Sequence, residues 1–564
     1  MTTFSQQLKA LHSRTPERVA IYLQFSGRED IPLTYDQLLQ GANAYASTLM
    51  HAGVKPGEIV VLILQHGEDL IHAFWGTILH GAIPSIMPFL TEKLSPERYR
   101  ADLTTLVSVT KPSAIITYPE FAAEIQMTLS DEDSACSVLT TDRPGQKTIL
   151  SFDTMAGFSR NPEDIVLLQH SSGTTGLQKG VALSHQAVFN QLNAYGRSLS
   201  LNENDVIVSW LPLYHDMGLI AGFIMPVLSG VPLVLLSPFD WVRAPYRLLQ
   251  SIAKYRGTLV WLPNFAYNFS AQKIRDRHME NIDLSSLRAI INCSEPVRWE
   301  SHQAFYERFK TYGLSLEMLQ TSYAMAENVF AVTQSPLGSE PAIVEIDREA
   351  FTTERVAKSP EEGRPIMKVL SSGRPLENVN VKVLDENRKE VVDGTIGEVA
   401  LQSDCMLTGY YHREEATEKA FADGWYLTGD YGFTRNGELF VSGRKKDMII
   451  VGGKNVYPQD LEALTYEVPG VHAGRSVAFG MYNDDEGTED VVIIAEVNSE
   501  DSVEQQKIAD AIRSHVTKNS AIALRYVKAV DSKWILKTSS GKTARAANKE
   551  KFLAELQRER NTEV

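Results

Sequence analysis

The chain has 564 residues, which is too many for one compact hydrophobic core, so we expect several subdomains. Its 55 basic and 70 acidic side chains give a net charge of −15. This excludes general nucleic-acid binding, because neutralising phosphates requires an excess of Lys and Arg. The widely spaced Cys136, Cys293 and Cys405 match neither a disulfide nor a zinc pattern, and the N-terminus lacks the apolar run of a signal peptide. We therefore predict a cytoplasmic protein.

Apolar runs of strand length alternate with helical stretches through the first 300 or so residues. The runs lie at 58–64, 114–118, 206–210, 258–262 and 287–292. This alternation predicts an α/β architecture with mostly parallel strands. The uncharged stretch 217–239 is long enough to cross a bilayer. Because the turn residues 229–232 interrupt it, we predict a helix end followed by a buried strand, and no transmembrane segment.

From about residue 381 the pattern changes to short β segments separated by turn signals, which predicts a small β subdomain. A charged run at 443–450 separates two predicted strands, and the residues after it predict a further small α/β domain. The expected organisation is a large N-terminal domain of two α/β subdomains and a β subdomain (1–442, with the β part at about 376–442), a hinge at 443–448, and a mobile C-terminal α/β lid at 449–564.

One loop is rich in groups that bind anions. It follows the apolar run 164–168 and precedes a helix predicted from Gln186, with Ser184 as N-cap. Its donors are Ser171, Ser172, Gly173, Thr174, Thr175, Gly176 and Lys179. Glycines let backbone N–H groups converge on one point, and hydroxyls and an ammonium add donors, which suits a polyphosphate. The spacing is not that of a Walker A loop. Taken alone, a flexible Ser/Gly linker explains it at least as well.

Several further motifs follow this loop along the chain. They lie at 210–218, 261–267, 292–297, 322–328, 424–430, 443–447, 452–458 and 537–542. Each is moderately specific at best. In this order, and over nearly the whole chain, they resemble the adenylate-forming superfamily of acyl-CoA synthetases, nonribosomal-peptide adenylation domains and luciferases.

The resemblance implies ATP and Mg²⁺ as cofactors and gives each motif residue a role. Thr174, Thr175 and Lys179 would hold the β- and γ-phosphates, and Glu327 the Mg²⁺. The other implied nucleotide contacts are Asn292, Ser294, Glu295, Ser322, Tyr323, Ala324 and Met325 around adenine, Asp430 and Arg444 on the ribose, and Lys446 at the hinge. His215 would lie near the substrate carboxylate, and Lys542 would bridge that carboxylate and the α-phosphate. Taken singly, several of these residues are equally well explained as turn or structural residues.

Within the superfamily, the chain most resembles fatty acyl-AMP ligases. The similarity lies in 211–219, 263–267, 294–297 and the long segment between Glu327 and Gly373. In that family an insertion at this point docks on the N-terminal domain and disfavours acyl transfer to CoA. The resemblance implies activation of a fatty acid to its acyl-adenylate with pyrophosphate release, then transfer to the phosphopantetheine thiol of a holo-acyl carrier protein. Two alternatives stay open: an acyl-CoA synthetase that uses CoA, and a non-catalytic acyl-adenylate-binding protein.

Overall fold

The computed structural model describes residues 2–90, 96–129, 136–142, 151–170, 179–451, 454–483, 488–520, 522–538 and 541–562. Within these ranges, two seven-stranded sheets, one five-stranded sheet and a three-stranded sheet near the C-terminus organise the chain. Three two-stranded pairs accompany them: Thr333–Gln334 with Arg374–Pro375, Ile343–Asp347 with Ile366–Leu370, and Ile449–Val451 with Lys454–Val456. The predicted α/β fold class is confirmed.

The first seven-stranded sheet is parallel except at one edge. Its strands run in the order Leu319–Thr321, Ala289–Asn292, Leu259–Leu262, Ile207–Ser209, Leu233–Leu236, Val19–Gln24 and Ile31–Thr34. Only the last pair is antiparallel. The five strands before that pair are buried along their whole length, as expected when both faces of a parallel sheet are covered. The runs predicted at 206–210, 258–262 and 287–292 all form strands of this sheet.

The second seven-stranded sheet has a parallel part and an antiparallel edge. Its order is Gly409–Tyr410, Gly180–Ser184, Ile165–His170, Ile83–Ile86, Ile59–Ile63, Ala114–Thr117 and Ser137–Thr140. The strand Gly180–Ser184 was not predicted: it pairs antiparallel with Ile165–His170, so the Ser/Gly-rich loop connects two strands. Ser184 then caps the next helix, as predicted, by accepting a hydrogen bond from the N–H of Ala187 at 3.1 Å.

Helices cover these sheets and pack closely on one another. Their bounds are Phe4–Arg14, Tyr35–His51, Glu68–His80, Pro96–Thr110, Pro119–Thr128, His185–Ser198, Met225–Ser229, Pro238–Arg243, Tyr246–Tyr255, Asn264–Lys273, Trp299–Phe309 and Glu414–Ala420. The helices Tyr35–His51 and Glu68–His80 approach each other closely at Gly76, where a Cβ atom would lie 2.5 Å from the carbonyl oxygen of Ala42. A residue without a side chain is therefore required where these two helices cross.

The uncharged stretch 217–239 lies in the core. It begins as the π-helical segment Met217–Ile224, continues as the helix Met225–Ser229, and then forms the buried strand Leu233–Leu236. The predicted helix end and strand are confirmed. Among the residues whose structure is described, no helix is long and apolar enough to cross a membrane.

The five-stranded sheet is antiparallel throughout. It contains Val379–Leu384, Gly397–Ser403, Trp425–Arg435, Phe421–Ala422 and Glu438–Arg444. The segment between Glu327 and Gly373 packs against it through the hairpin Ile343–Asp347/Ile366–Leu370 and the π-helical turn Ala350–Glu354. Ile346 and Phe351 are buried there, in a cluster that includes Phe433 and Tyr457. This segment therefore contributes to the core beside the β sheet.

The C-terminal part has its own sheet and core. Val471–Asn483, Thr488–Val497 and Leu524–Val530 form a mixed sheet, and Pro458–Tyr466, Ser502–Ser520 and Arg545–Thr562 are its helices. Two apolar clusters lie within this region, separate from the core of the large sheets. The turn Lys445–Asp447 joins this part to the five-stranded sheet. The predicted limits of the hinge, at 443 and 448, stay predictions.

Candidate active site

A cavity of about 2200 Å³ is lined by residues from both the large N-terminal part and the C-terminal part. The predicted site residues on its wall are Lys179, His215, Ser294, Glu295, Ser322, Tyr323, Ala324, Met325, Glu327, Asp430, Arg444, Lys446 and Lys542. Ser171, Ser172, Gly173, Thr174, Thr175 and Gly176 lie outside the described residues. Side chains from widely separated parts of the sequence therefore converge on one cavity.

His215 and Asp216 form a pair just before the π-helical segment. The imidazole Nδ1 of His215 lies 2.6 Å from Oδ1 of Asp216, and the N–H of Met217 donates to the same oxygen at 2.8 Å. Burial raises the pKa of Asp216, but His215, Lys542 and this N–H together outweigh burial and lower it to about 2. Asp216 is therefore ionised at any working pH.

Lys542 reaches the cavity from a tight turn in the C-terminal part. Residues 537 and 543 form an antiparallel bridge, and the N–H of Thr538 donates to the carbonyl oxygen of Lys542 at 2.7 Å. Burial lowers the pKa of Lys542, and the nearby Arg444 adds to this, while the carboxylates of Asp216 and Glu295 act in the opposite direction. The ammonium group therefore lies among both anionic and cationic side chains of the N-terminal part.

Asp430 and Arg444 are cross-strand neighbours on the five-stranded sheet. Arg444 Nε lies 3.7 Å from Oδ1 of Asp430, and the hydroxyl of Tyr323 donates to Oδ2 at 2.5 Å. Burial raises the pKa of Asp430, although the Arg444 guanidinium and the Tyr323 hydroxyl favour its ionised form. The two residues predicted to bind ribose thus lie together on the cavity wall, and a predicted adenine contact is bonded to one of them.

Glu327 contacts a pair of tyrosines. The hydroxyl of Tyr410 donates to Oε1 of Glu327 at 2.9 Å and lies 3.0 Å from the hydroxyl of Tyr426. The Nζ atom of Lys179 lies 4.2 Å from the centre of the Tyr410 ring, within range of a cation–π contact. Burial raises the pKa of Glu327. Tyr410 therefore contacts both Lys179, at the end of the Ser/Gly-rich loop, and the predicted Mg²⁺ ligand Glu327.

The predicted Mg²⁺ site rests on a single carboxylate. Among the described residues there is no group of three or more His, Cys, Asp or Glu side chains that would hold a metal ion. Mg²⁺ usually takes one or two carboxylates and completes its octahedron with water and substrate phosphates. Glu327 fits a Mg²⁺ ion that arrives with a polyphosphate, and does not fit an all-protein cage.

Asn292 lies beneath the cavity wall. It is fully buried, its Nδ2 donates to Asn264 Oδ1 at 2.9 Å and to His302 Nε2 at 3.1 Å, and its carbonyl oxygen accepts from the N–H of Ser322. Its Oδ1 has no partner within the described part of the chain. The structure therefore places Asn292 behind the predicted adenine contacts, and its role in binding adenine stays a prediction.

A strained turn fixes the backbone just after Glu327. Val329 has φ 62° and ψ −56°, and the N–H of Phe330 donates to the carbonyl oxygen of Asn328 at 2.6 Å, so residues 328–330 form a γ-turn of the rare positive-φ kind. A β-branched residue is disfavoured in this region. Gln191 Oε1 holds the turn by accepting from the N–H of Phe330 at 3.1 Å.

Sequence reasoning missed Asp216, Tyr410 and Tyr426 as site residues. Asp216 had a signal, since it follows His215 inside a motif already identified. Tyr410 had none, because it lies on a two-residue strand whose neighbour Glu327 is 83 positions away in the sequence. His170 is the last residue of the strand Ile165–His170, before the Ser/Gly-rich loop. Burial lowers the pKa of its imidazole to about 4, so this ring is neutral near pH 7.

Solved structures with a similar overall fold include adenylate-forming enzymes. A fatty acyl-adenylate ligase structure, described in a study of the enzymes from E. coli and L. pneumophila, superposes with a TM-score of 0.89 at 25% identity and covers 99% of this chain and 98% of its own. A fatty acid AMP ligase from Legionella pneumophila gives 0.73 at 28% identity, over 98% and 96%.

Sequence comparison agrees with the fold. The chain belongs to the AMP-binding enzyme family, whose characteristic region matches residues 8–411. It is 30% identical to the medium-chain-fatty-acid–acyl-carrier-protein ligase JamA of Moorena producens, over 96% of this chain and 93% of that protein. It is also 30% identical to the long-chain-fatty-acid–AMP ligase FadD26 of Mycobacterium marinum, over 92% and 91%. The resemblance stated from the motifs is confirmed at the level of the family.

Proposed function

We propose that the protein is a fatty acyl-AMP ligase, which uses ATP and Mg²⁺ to convert a fatty acid into its acyl-adenylate and releases pyrophosphate. One observation carries the proposal. Lys542, from the C-terminal part, lies in the same cavity as His215, Glu327 and Asp430 of the N-terminal part. A cation, a metal-binding carboxylate and a ribose-binding carboxylate are the groups needed to align a carboxylate with the α-phosphate of ATP.

The cationic side chains of the cavity suit a reaction in which the fatty acid carboxylate, an anion, attacks the triphosphate of ATP, another anion. The attacking carboxylate and the triphosphate repel each other, so cations must lie between and around them. Lys542 would bridge the carboxylate and the α-phosphate, Lys179 would contact the outer phosphates, and His215 would lie beside the carboxylate. Mg²⁺ bound at Glu327 would neutralise further phosphate charge. The fatty acid oxygen then bonds to the α-phosphorus while the bond to pyrophosphate breaks.

The ribose end of the site would orient the nucleotide. A carboxylate accepts hydrogen bonds from two neighbouring hydroxyls, and Asp430 lies on the cavity wall with Arg444 beside it. Tyr323, whose hydroxyl bonds to Asp430, would pack against adenine with Ser322, Ala324 and Met325 near it. The Tyr323–Asp430 hydrogen bond would hold the ring and the carboxylate in one fixed arrangement.

We further propose that the acyl group is transferred to the phosphopantetheine thiol of an acyl carrier protein. Similarity to JamA, a medium-chain-fatty-acid–acyl-carrier-protein ligase, supports this acceptor, and similarity to FadD26, a long-chain-fatty-acid–AMP ligase, supports the adenylation step. The segment between Glu327 and Gly373 contacts both the N-terminal part and the C-terminal part. It would therefore restrict the movement of the C-terminal part. It packs on the five-stranded sheet and on Tyr457, and Arg348 within it donates to the carbonyl oxygen of Asn519 in the C-terminal helix Ser502–Ser520.

The proposed activity is tested by pyrophosphate release across a panel of fatty acids, with CoA or holo-acyl carrier protein as acceptor. We expect ATP- and Mg²⁺-dependent release with at least one chain length, and acyl transfer to the carrier protein but not to CoA. Efficient transfer to CoA would favour the acyl-CoA synthetase alternative. No pyrophosphate exchange with any acid would favour a non-catalytic acyl-adenylate-binding protein.

The role of the segment is tested at one contact. Deleting part of residues 340–366 is expected to raise CoA transfer, but a deletion that includes Ile346 or Phe351 also uncovers Phe433 and Tyr457 in the core. Arg348→Ala removes the side-chain bond to Asn519 and a charge that favours the ionised form of Asp460, both links to the C-terminal part, so it is the sharper variant. Arg364→Ala is the matched control, because Arg364 pairs with Glu349 within the same segment. A rise in CoA transfer for both variants, or for neither, would contradict the role proposed for Arg348.

A further inference from the structure

Asp216 is a buried anion in a site that must receive two more. Its side chain is 13% exposed, and its Oδ1 atom already accepts from His215 Nδ1 and from the N–H of Met217. The fatty acid carboxylate and the triphosphate would both bind in the same cavity, which a fixed negative charge opposes. The predicted nucleotide and substrate contacts leave this carboxylate without a function.

The surroundings of Asp216 show what the charge acts on. Asp216 and Lys542 line the same cavity, and the charge of each favours the ionised form of the other. The Nδ1 atom of His215 lies 2.6 Å from the same carboxylate. His215 and Asp216 are held by the fold of the N-terminal part, whereas Lys542 lies on a turn of the C-terminal part. Asp216 is thus an anion of one region that shares a cavity with a cation supplied by the other.

We propose that Asp216 is a positioning residue that acts through His215 and Lys542. Its Oδ1 atom fixes the Nδ1–H tautomer of His215 and turns Nε2 of that ring away from the carboxylate. Its charge draws the Lys542 ammonium to the N-terminal wall before substrates bind, which favours the arrangement of the two regions that forms the adenylate. When the substrate carboxylate and the α-phosphate are in place, they become the stronger partners of Lys542. This inference rests on the proposed adenylation activity.

The test is a double-mutant cycle of Asp216→Asn and Lys542→Ala, measured by ATP–pyrophosphate exchange. Asparagine keeps the size of the side chain and an oxygen acceptor for His215, and it removes the charge. We expect a fall in kcat of about 10- to 100-fold, because displaced catalytic groups cost rates of this order, with no rise in KM for the fatty acid. In the Lys542→Ala background we expect Asp216→Asn to have little further effect, since residues that act as a unit are not additive.

A second readout separates positioning from general damage. Acyl transfer from supplied acyl-adenylate is predicted to be largely independent of Lys542, so Asp216→Asn is expected to leave it within about twofold of wild type. Asp36→Asn is the matched control. Asp36 lies on the helix Tyr35–His51, away from the cavity, and its Oδ1 atom lies 3.1 Å from Nε2 of His12. Its exchange rate should equal that of the wild type.

Three results would overturn the inference: full additivity in the cycle, a raised KM with unchanged kcat, or an equal loss in both half-reactions. If Asp216→Asn melts well below the wild type, Asp216→Ser is used in the same cycle and judged by the same results. A wild-type protein without exchange activity would refute the proposed function itself. Exchange by the wild type combined with an additive cycle would refute only the role of Asp216.

Discussion

The two regions that form the cavity hold their functional groups in different ways. In the N-terminal part, Asp216, Glu327 and Asp430 are each fixed by hydrogen bonds to neighbouring side chains or backbone. In the C-terminal part, Lys542 is carried on a turn closed by backbone hydrogen bonds. One half of the site is therefore preorganised by its own core, and the other half depends on how the two regions are arranged. Substitutions that change how the two regions are arranged should therefore affect the two half-reactions unequally.

Acidification should destabilise the N-terminal part first. His185 Nδ1 accepts from the N–H of Phe4 at 3.2 Å, and His302 Nε2 accepts from Asn292, so both buried rings must be neutral. Burial lowers the pKa of His185 to about 4 and that of His302 to about 3. In the unfolded chain both would titrate near pH 6.5. Their contribution to stability is therefore complete above pH 6.5 and is lost as the pH falls toward 4.

Below pH 6.5 the free energy of unfolding should fall by up to about 1.4 kcal/mol per pH unit for each histidine. The two histidines together should therefore account for a few kcal/mol. Thermal melting between pH 7.5 and 5 measures it. His302→Gln should reduce the pH dependence, and a melting temperature that is flat over this range would contradict the expectation.

Lys542→Ala should have the largest effect on catalysis. Without the ammonium, charge that develops between the carboxylate and the α-phosphate is not stabilised, so we expect pyrophosphate exchange to fall about 10²- to 10³-fold. Acyl transfer from supplied acyl-adenylate should be largely unchanged. Lys507 is exposed on the C-terminal helix Ser502–Ser520 and does not line the cavity, so Lys507→Ala is the control. Near wild-type exchange by Lys542→Ala would show that the assignment is wrong.

Lys446→Pro tests whether the connection between the two regions has to move. Lys446 lies in the turn Lys445–Asp447 that follows the strand Glu438–Arg444. Proline restricts its own φ angle and the conformation of the residue before it. We expect the second half-reaction to slow by about tenfold or more, which is about 1.4 kcal/mol of barrier, and the first to change less. Equal losses in both half-reactions would indicate misfolding rather than a hinge.

Arg298→Ala should have a smaller effect. Arg298 Nη2 contacts Asp460 Oδ1 at 2.9 Å and the carbonyl oxygen of Gln459 at 2.8 Å, which ties the large part to the C-terminal part. Because both side chains are partly exposed, we expect only a two- to fivefold loss of adenylation, about 0.4–1 kcal/mol. Transfer from supplied acyl-adenylate should not fall. Arg308→Ala, which breaks a pair with Asp276 inside the N-terminal part, should change neither rate.

Strong local patterns predicted much of the fold. The buried runs at 58–64, 114–118 and 258–262 form strands within a residue or two of the expected limits. The helix end and strand within 217–239 were also predicted, since turn residues interrupt an otherwise uniform apolar stretch. The strand Gly180–Ser184 was missed. Its five residues directly follow a loop and directly precede a helix, and its pairing depends on a partner across that loop.

The site was predictable as a set of motifs but not as a set of contacts. The order of the motifs identified Glu327, Asp430 and Lys542, and the structure brings all three to one cavity. The Tyr410–Glu327 bond and the attraction between Asp216 and Lys542 were not predicted. Such pairs join residues far apart in the chain and depend on tertiary packing, which leaves no trace in local periodicity or spacing.

Because of the γ-turn at Val329, we expect that the geometry around Glu327 can change while the stability of the whole fold does not. A strained backbone angle costs about 1–3 kcal/mol, and burying a valine side chain gains roughly 1.5–3 kcal/mol. Val329→Gly removes both, so we expect its melting temperature to stay near that of the wild type. Val332→Gly, at a position equally buried but without the positive φ angle, should melt clearly lower.

The same substitution should weaken the response to Mg²⁺, because the loop that carries Glu327 becomes free to move. A change at this position would thus leave the protein folded, abundant and normal in a thermal assay while its rate falls. Screens that select variants by expression or by melting temperature would not detect such a loss. We expect only a measurement of the reaction rate to detect the requirement for valine at position 329.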